Sequence, residues 1–334
     1  MSDVDQRTYY KTQYKELADL PGLGPVSIQK LQDMGYNTVK SLATAHWREL
    51  VGIEGIGEDT AKNVIKAAQK VLDIGFVSGV ELMKLRAGRV KLTTGCTGLD
   101  ELMEGGIETE SITEFYAAFG AGKSQMCHQL AVTVQLPVEQ GGLAGKVLYI
   151  DTEQVFRPKR VIEIASRFDH FKDDPAKVLN GIIFAEAYTS AHQMILLDAA
   201  DEIIKDNNVK LIIIDALMSH FRSEYVGRGM LAERQQQLNV HLHKLTRLLR
   251  AFECAAVIAN QVTDTPDAFS GFDPKAIGGN VLGHAVHTRL FIRKGRPPAR
   301  VIKIIASPFL ADGEVPVIIT EKGIITSDQL DPDE

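Results

Sequence analysis

Little in this sequence supports a cross-linked or membrane-bound architecture. Its 334 residues hold three cysteines, Cys96, Cys127 and Cys254, too few and too scattered for a disulfide framework or a zinc site, which suits a reducing cytosol. The longest purely apolar runs, such as residues 211–214, fall far short of the roughly 20 residues that span a bilayer. The polar opening MSDVDQRTYYKTQYKE lacks the apolar stretch of a secretory signal, so a cytoplasmic, non-membrane protein is expected. An excess of positive charge is missing too. With 37 basic against 43 acidic residues the formal charge is −6, and any nucleic-acid contact must come from local patches. What is present is a 45% apolar content and enough length for two or three domains with buried cores.

One turn occurs twice. Leu20-Pro21-Gly22-Leu23-Gly24 and Ile53-Glu54-Gly55-Ile56-Gly57 repeat the same pattern 33 residues apart. Each precedes a helical periodicity, residues 26–34 with Ile28 and Leu31, and residues 58–72 with Ala61, Val64, Ile65 and Ala68. Residues 1–72 therefore predict a small all-helical domain, and residues 73–94 read as a charged connector. From 95 to 326 strands alternate with amphipathic helices; the strands fall at 112–116, 147–151, 181–185, 210–215, 255–260, 288–293, 301–306 and 315–320. Such alternation predicts an α/β domain with a mainly parallel sheet covered on both faces; the later strands, on short links, are candidates for antiparallel pairing. Residues 327–334 read as a loose acidic tail.

Ala117-Ala118-Phe119-Gly120-Ala121-Gly122-Lys123-Ser124 follows an expected strand and opens an expected helix through Gln125. This is the context of a phosphate-binding loop of a P-loop ATPase. Backbone N–H groups around Gly120 to Lys123 can cradle phosphates, Lys123 can neutralise the outer ones, and the Ser124 hydroxyl can hold Mg²⁺, so ATP and Mg²⁺ are the expected ligands. Ala117 stands where the stricter pattern has Gly, which forbids easy positive φ. Two carboxylates end apolar strands further on. Asp215 closes Leu211-Ile212-Ile213-Ile214 and can bind Mg²⁺ through water, and Glu153, in Ile150-Asp151-Thr152-Glu153, can polarise an attacking water. Taken alone, Asp215 is equally a plain strand end and Glu153 a solvent-facing loop residue.

The motifs and their order resemble the RecA-type recombinases of archaea and eukaryotes, the RadA group in particular, from about residue 20 to residue 325. The strings that carry the resemblance include Gly-Gly-Ile-Glu-Thr at 105–109, Cys127-His128-Gln129-Leu130-Ala131-Val132, Ser219-His220-Phe221-Arg222, Gly227-Arg228-Gly229, Asn260-Gln261-Val262 and Ile277-Gly278-Gly279-Asn280. It implies a RecA-like core behind a helix-hairpin-helix domain. The implied activity is a DNA-dependent ATPase that forms helical filaments on single-stranded DNA, pairs it with homologous double-stranded DNA in recombination and repair, and works with the nucleoid and other recombination proteins. Position by position, it implies Glu153 as the catalytic carboxylate, Arg160 packed on adenine, and Gln261 sensing the γ-phosphate and relaying its presence to the loop that follows.

DNA contacts are implied for Arg222, Arg228 and Arg234, whose guanidinium groups suit phosphate oxygens, and for a loop over residues 262–280, from Val262 to Asn280. The glycines of the repeated turns, Gly22, Gly24, Gly55 and Gly57, resemble those of helix-hairpin-helix elements whose N–H groups meet phosphates. Phe76-Val77-Ser78-Gly79 occupies the place of a Phe-x-x-Ala strand that plugs into the next subunit, with Gly79 in place of alanine. Gln154-Val155 and Ala306 also depart from the usual Gly-Thr and Asp. These departures leave open a paralogue that regulates or mediates recombination, and a ring-forming, helicase-like motor is a more distant alternative.

Overall fold

The computed structural model describes residues 16–53, 55–72, 78–87, 90–263 and 274–329. Near the N-terminus, helices Pro25–Asp33, Val39–Ala43, Trp47–Val51 and Glu58–Val71 close around one apolar cluster. The repeated turns are built alike: Leu20 and Ile53 are buried in that cluster, while each turn places a proline or glutamate start directly after its last glycine. Pro25 at the first position of its helix has the φ a helix requires and lacks an N–H that would have had no partner. Thr38 caps the next helix by accepting from Ser41 N at 3.0 Å.

The larger unit contains β1 (Lys91–Leu92), β2 (Ile107–Glu108), β3 (Ile112–Ala117), β4 (Lys146–Asp151), β5 (Ile182–Glu186), β6 (Val209–Asp215), β7 (Ala255–Gln261), β8 (Thr288–Lys294), β9 (Ala299–Ala306), β10 (Glu314–Thr320) and β11 (Gly323–Ile325). Among the described residues, nine form one sheet in the order β11-β10-β9-β8-β3-β7-β6-β4-β5. From β8 to β5 every neighbour is parallel; β9, β10 and β11 add on antiparallel, as their short links suggest. Burial on both faces explains the apolar runs. Along β6, Leu211 and Ile213 point into a core shared with helix Lys123–Thr133, while Ile212 and Ile214 point into another shared with helix Leu231–Phe252.

Two readings need correction. The span 73–94 is not a plain connector, since it contains helix Gly79–Ala87 and β1, whose pairing with β2 uses Ile107 of the Gly-Gly-Ile-Glu-Thr string. Short two- and three-residue strands such as β1, β2 and β11 carry too little periodicity to be seen in a sequence. The tail is not loose from 327 onward: Ser327–Gln329 is a turn, and the Gln329 amide accepts from Thr97 N at 3.0 Å and Thr326 N at 3.1 Å.

Polar contacts join the two units. Arg247 of the long core helix donates to Tyr36 Oη and Glu49 Oε2, each at 2.9 Å, and Lys40 reaches Glu253 at 3.0 Å and Glu110 at 3.3 Å.

Candidate nucleotide site and DNA-facing loops

The candidate site lies at the C-terminal ends of β3, β4, β6 and β7, the edge of a parallel sheet where open α/β folds leave a crevice. Ala117 is the last residue of β3, paired with Gln261 of β7 and Ile292 of β8. It is extended backbone, so the expected conflict between Ala117 and a positive φ does not arise. That geometry falls instead on Gly120 (φ 70°) and Gly122 (φ 121°), where a Cβ on Gly122 would also come within 2.9 Å of Ile319. Phe119 stands almost fully exposed at the tip of the loop.

Lys123 is buried, and its Nζ donates to the carbonyl oxygens of Ala117 (3.1 Å) and Ala118 (3.3 Å). Burial lowers the pKa of this ammonium, and the carboxylates of Glu153 and Asp215 oppose that effect. Asp215 is fully buried at the end of β6, where burial pushes its carboxyl up to about 6, held back by the nearby hydroxyls of Ser124 and Tyr149. Its Oδ2 accepts from Tyr149 Oη at 2.9 Å, whereas the buried Oδ1 has no hydrogen-bond partner among the described residues. An orphaned carboxylate oxygen beside a serine hydroxyl is the hard-oxygen donor set that Mg²⁺ takes. Ser124 and Asp215 thus fit such an ion.

Asp151 shapes the turn that follows β4. Its Oδ1 accepts from Glu153 N at 3.0 Å and its Oδ2 from Phe156 N at 2.8 Å, which turns Glu153 back toward β7. There Gln261 Nε2 donates to Glu153 Oε1 at 2.5 Å. Gln154, where glycine is usual, takes a left-handed φ of 56° at a cost of about 1–2 kcal/mol, and its side-chain amide is anchored on Glu186. Arg160 donates from Nε to Gln125 Oε1 at 2.8 Å and to the carbonyls of Thr320 (2.6 Å) and Glu321, which pins its guanidinium plane next to the phosphate loop.

The DNA candidates are dispersed. Arg222 lies in helix Ser219–Glu224 and Arg228 in the short turn Arg228–Met230, both exposed; Arg234 is half-buried in the first turn of helix Leu231–Phe252. Glu224 is engaged elsewhere, its carboxylate holding Ser190 N at 2.8 Å and the Ser190 hydroxyl. Of the loop at 262–280, residues 264–273 lie outside the described residues. Its stem is closed by a bridge between Val262 and Ala276 and by Thr263 N to Lys275 O at 2.8 Å. The loop is shorter than expected, because helix Gly279–Ala285 begins before Asn280. A Cβ on Gly22, Gly24, Gly55 or Gly57 would meet nothing within 4 Å, leaving both hairpin turns open to a ligand. Phe76 lies outside the described residues, and Gly79 opens a helix rather than lying in an extended segment. Ala306 ends β9, exposed.

The sequence reading missed Tyr149, Asn260, Glu114 and Arg289. A charge in the middle of an otherwise apolar strand, Ile112-Thr113-Glu114-Phe115-Tyr116, was the available signal for Glu114.

A fold of this order, with a phosphate loop between its central strand and a buried helix, defines the RecA-type ATPases. The comparison with protein families agrees: the Rad51 family model matches residues 85–327, well over half of the chain, and a SAM-like helix-hairpin-helix tandem matches residues 14–70. The chain belongs to the Rad51 family. Members of this family are RecA-type recombinase ATPases that use ATP with Mg²⁺, bind DNA and self-assemble. Among the described residues, no helix is long and apolar enough to cross a membrane.

Proposed function

We propose that this chain is a DNA-dependent ATPase and strand-exchange protein that polymerises on single-stranded DNA, as a helical filament or from a resting ring, and pairs it with homologous duplex. The observation that carries the reading is the 2.5 Å contact between Gln261 and Glu153, because one hydrogen bond joins a carboxylate at the phosphate loop to the residue that starts the loop at 262–280. In this reading the backbone of residues 117–124 cradles the triphosphate, Lys123 offsets the charge of its outer phosphates, and Arg160 lies against the base. Ser124 and Asp215, the latter through water, hold Mg²⁺, which supplies charge neutralisation at the phosphates. Glu153 orients water for in-line attack and Gln261 exchanges its carboxylate partner for the γ-phosphate, so that occupancy of the site reaches the DNA loop.

Arg222, Arg228, Arg234 and the open hairpin glycines then supply contacts to phosphate that do not depend on sequence. Phe76 and Gly79 are assigned to self-association, and β5, the outermost parallel strand with Phe184 exposed on it, is a sheet edge among the described residues that an extended segment can join. The nucleoid is the place for such a protein, with other recombination proteins as partners. A paralogue that regulates recombination is favoured by Gly79, Gln154 and Ala306 alone. Electron microscopy with single-stranded DNA and a slowly hydrolysed ATP analogue, run beside an ATPase assay with and without DNA, tests the choice. Regular filaments and stimulated hydrolysis are expected; folded, ATP-binding protein that forms no filaments and exchanges no strands would overturn the proposal in favour of the regulator.

A further inference from the structure

Beneath the nucleotide edge, the centre of the sheet holds a polar group where an apolar one would be cheaper to bury. Glu114, in the middle of β3, is fully buried; its Oε2 receives Arg289 Nε from β8 and its Oε1 receives Asn260 Nδ2 from β7 at 2.7 Å. Burying a carboxylate costs more than its ion pair reliably returns, so such a pair is weak evidence for stability and better evidence for a geometry that has to be unique.

Asn260 is the branch point. Also fully buried, it uses its second amide hydrogen to hold the carbonyl of Ile277 at 2.6 Å, and its Oδ1 accepts from Gln261 N at 2.8 Å. Both donors of the amide are thereby spent, and its oxygen is engaged as well. Residue 260 precedes the DNA-facing loop and residue 277 lies at its far end, just before helix Gly279–Ala285. One side chain therefore ties both ends of the loop to each other and to the sheet. Ile277 N closes the same ring by donating to Gln261 O at 3.0 Å, and Gln235 Nε2 holds Gly278 O at 3.2 Å from the long helix that has Arg234 in its first turn.

We infer that Asn260, held by the Glu114–Arg289 pair, is the positioning residue that converts a movement of Gln261 into a change at the stem of the DNA-facing loop. The inference rests on the proposed role of Gln261 as reporter of the γ-phosphate. Because both amide hydrogens are committed, a backbone shift at Gln261 must move Ile277 O or break one of the three bonds of the amide, so the stem has few arrangements to choose from rather than a continuum. Without the amide, Gln261 can still reach Glu153 and ATP, but the loop is no longer informed.

The test measures affinity for a single-stranded oligonucleotide with a slowly hydrolysed ATP analogue and with ADP, in wild type and in Asn260→Ala. The ratio of the two affinities should fall by about tenfold or more in the variant, while affinity for a fluorescent ATP analogue stays within about threefold of wild type. An unchanged ratio in folded N260A overturns the inference. A wild type that binds DNA equally with either nucleotide overturns the proposed function instead, which keeps the two failures apart. Should N260A not fold, hydrogen exchange of wild type decides: the amides of Gln261 and Ile277 must exchange more slowly with the ATP analogue than with ADP, and equal rates overturn the inference. Glu114→Gln combined with Arg289→Met keeps an oxygen for Asn260 and should retain most of the ratio that N260A loses.

Discussion

The phosphate-loop end of the sheet and the arginines at 222, 228 and 234 both present positive charge, yet they are built in opposite ways. Lys123 is buried against backbone carbonyls with Glu153 and Asp215 close enough to sustain its charge, so its position is set before any ligand arrives. Arg222 and Arg228 are exposed on short helical turns, and Arg228 and Arg234 form no ion pair with any described residue. The buried cation can act on chemistry, because charge placed in low dielectric acts strongly and needs no reorganisation. In the proposed reading the arginines would add affinity that salt can remove.

The largest effect should come from the buried side. Lys123→Ala is expected to lower the turnover of ATP by about 10² to 10³-fold, measured by phosphate release at saturating DNA, and near-normal turnover would remove Lys123 from the comparison altogether. Next comes acid. Burial holds His241 at about 4 and, aided by the nearby charges of Arg160 and Arg157, His128 at about 4, against 6.5 for a free imidazole. Both stay neutral in the fold until about pH 4 but take up a proton near 6.5 once unfolded. Their stabilisation is therefore complete above pH 6.5 and is lost as pH falls toward 4, by roughly 3 kcal/mol for each histidine. Thermal melts across that range check this, and His241→Gln should flatten the curve; an identical slope in the variant would speak against His241 as a source.

On the exposed side, replacing Arg222, Arg228 or Arg234 by alanine should weaken single-stranded DNA binding about equally for all sequences. Each change should reduce the slope of log affinity against log salt by roughly 0.7, and a slope equal to wild type would exclude that arginine from phosphate contact. Smallest of all is the contact between the two units. Arg247→Ala removes a partly exposed partner of the half-exposed Glu49 and of the buried Tyr36, which keeps its bond to Glu49, and should cost about 1 kcal/mol or less, visible as a small shift in urea midpoint that added salt erases. A larger loss would mean that this contact behaves like the buried site.

Much of the architecture was legible because it rests on patterns that act locally. The strand positions at 112–116, 210–215 and 255–260 fall within observed strands, since a strand buried on both faces has to be apolar throughout and each was bounded by turn residues. The charged span at 79–87 concealed a helix for the converse reason: Leu82, Met83 and Val80 are exposed, so no apolar stripe toward a core marks it. Among candidate site residues, Lys123, Ser124 and Asp215 could be proposed from the sequence because a phosphate-loop pattern and a strand-ending carboxylate each occupy one stretch of chain. Asn260 could not, since its partners Glu114, Ile277 and Gln261 come from separate segments.

By itself the sequence determined most of the longer strands and helices, the stretch proposed to cradle a triphosphate, and that two hairpin turns share one design, because apolar periodicity and the left-handed glycine are properties of a few neighbouring residues. Only the tertiary structure decided that Gln261 meets Glu153, that Asp215 Oδ1 finds no partner among the described residues, and that one asparagine ties both ends of a loop to a buried ion pair. Those contacts depend on which strands lie side by side in the sheet, and strand order is chosen by the packing of the whole core rather than by any one stretch of chain.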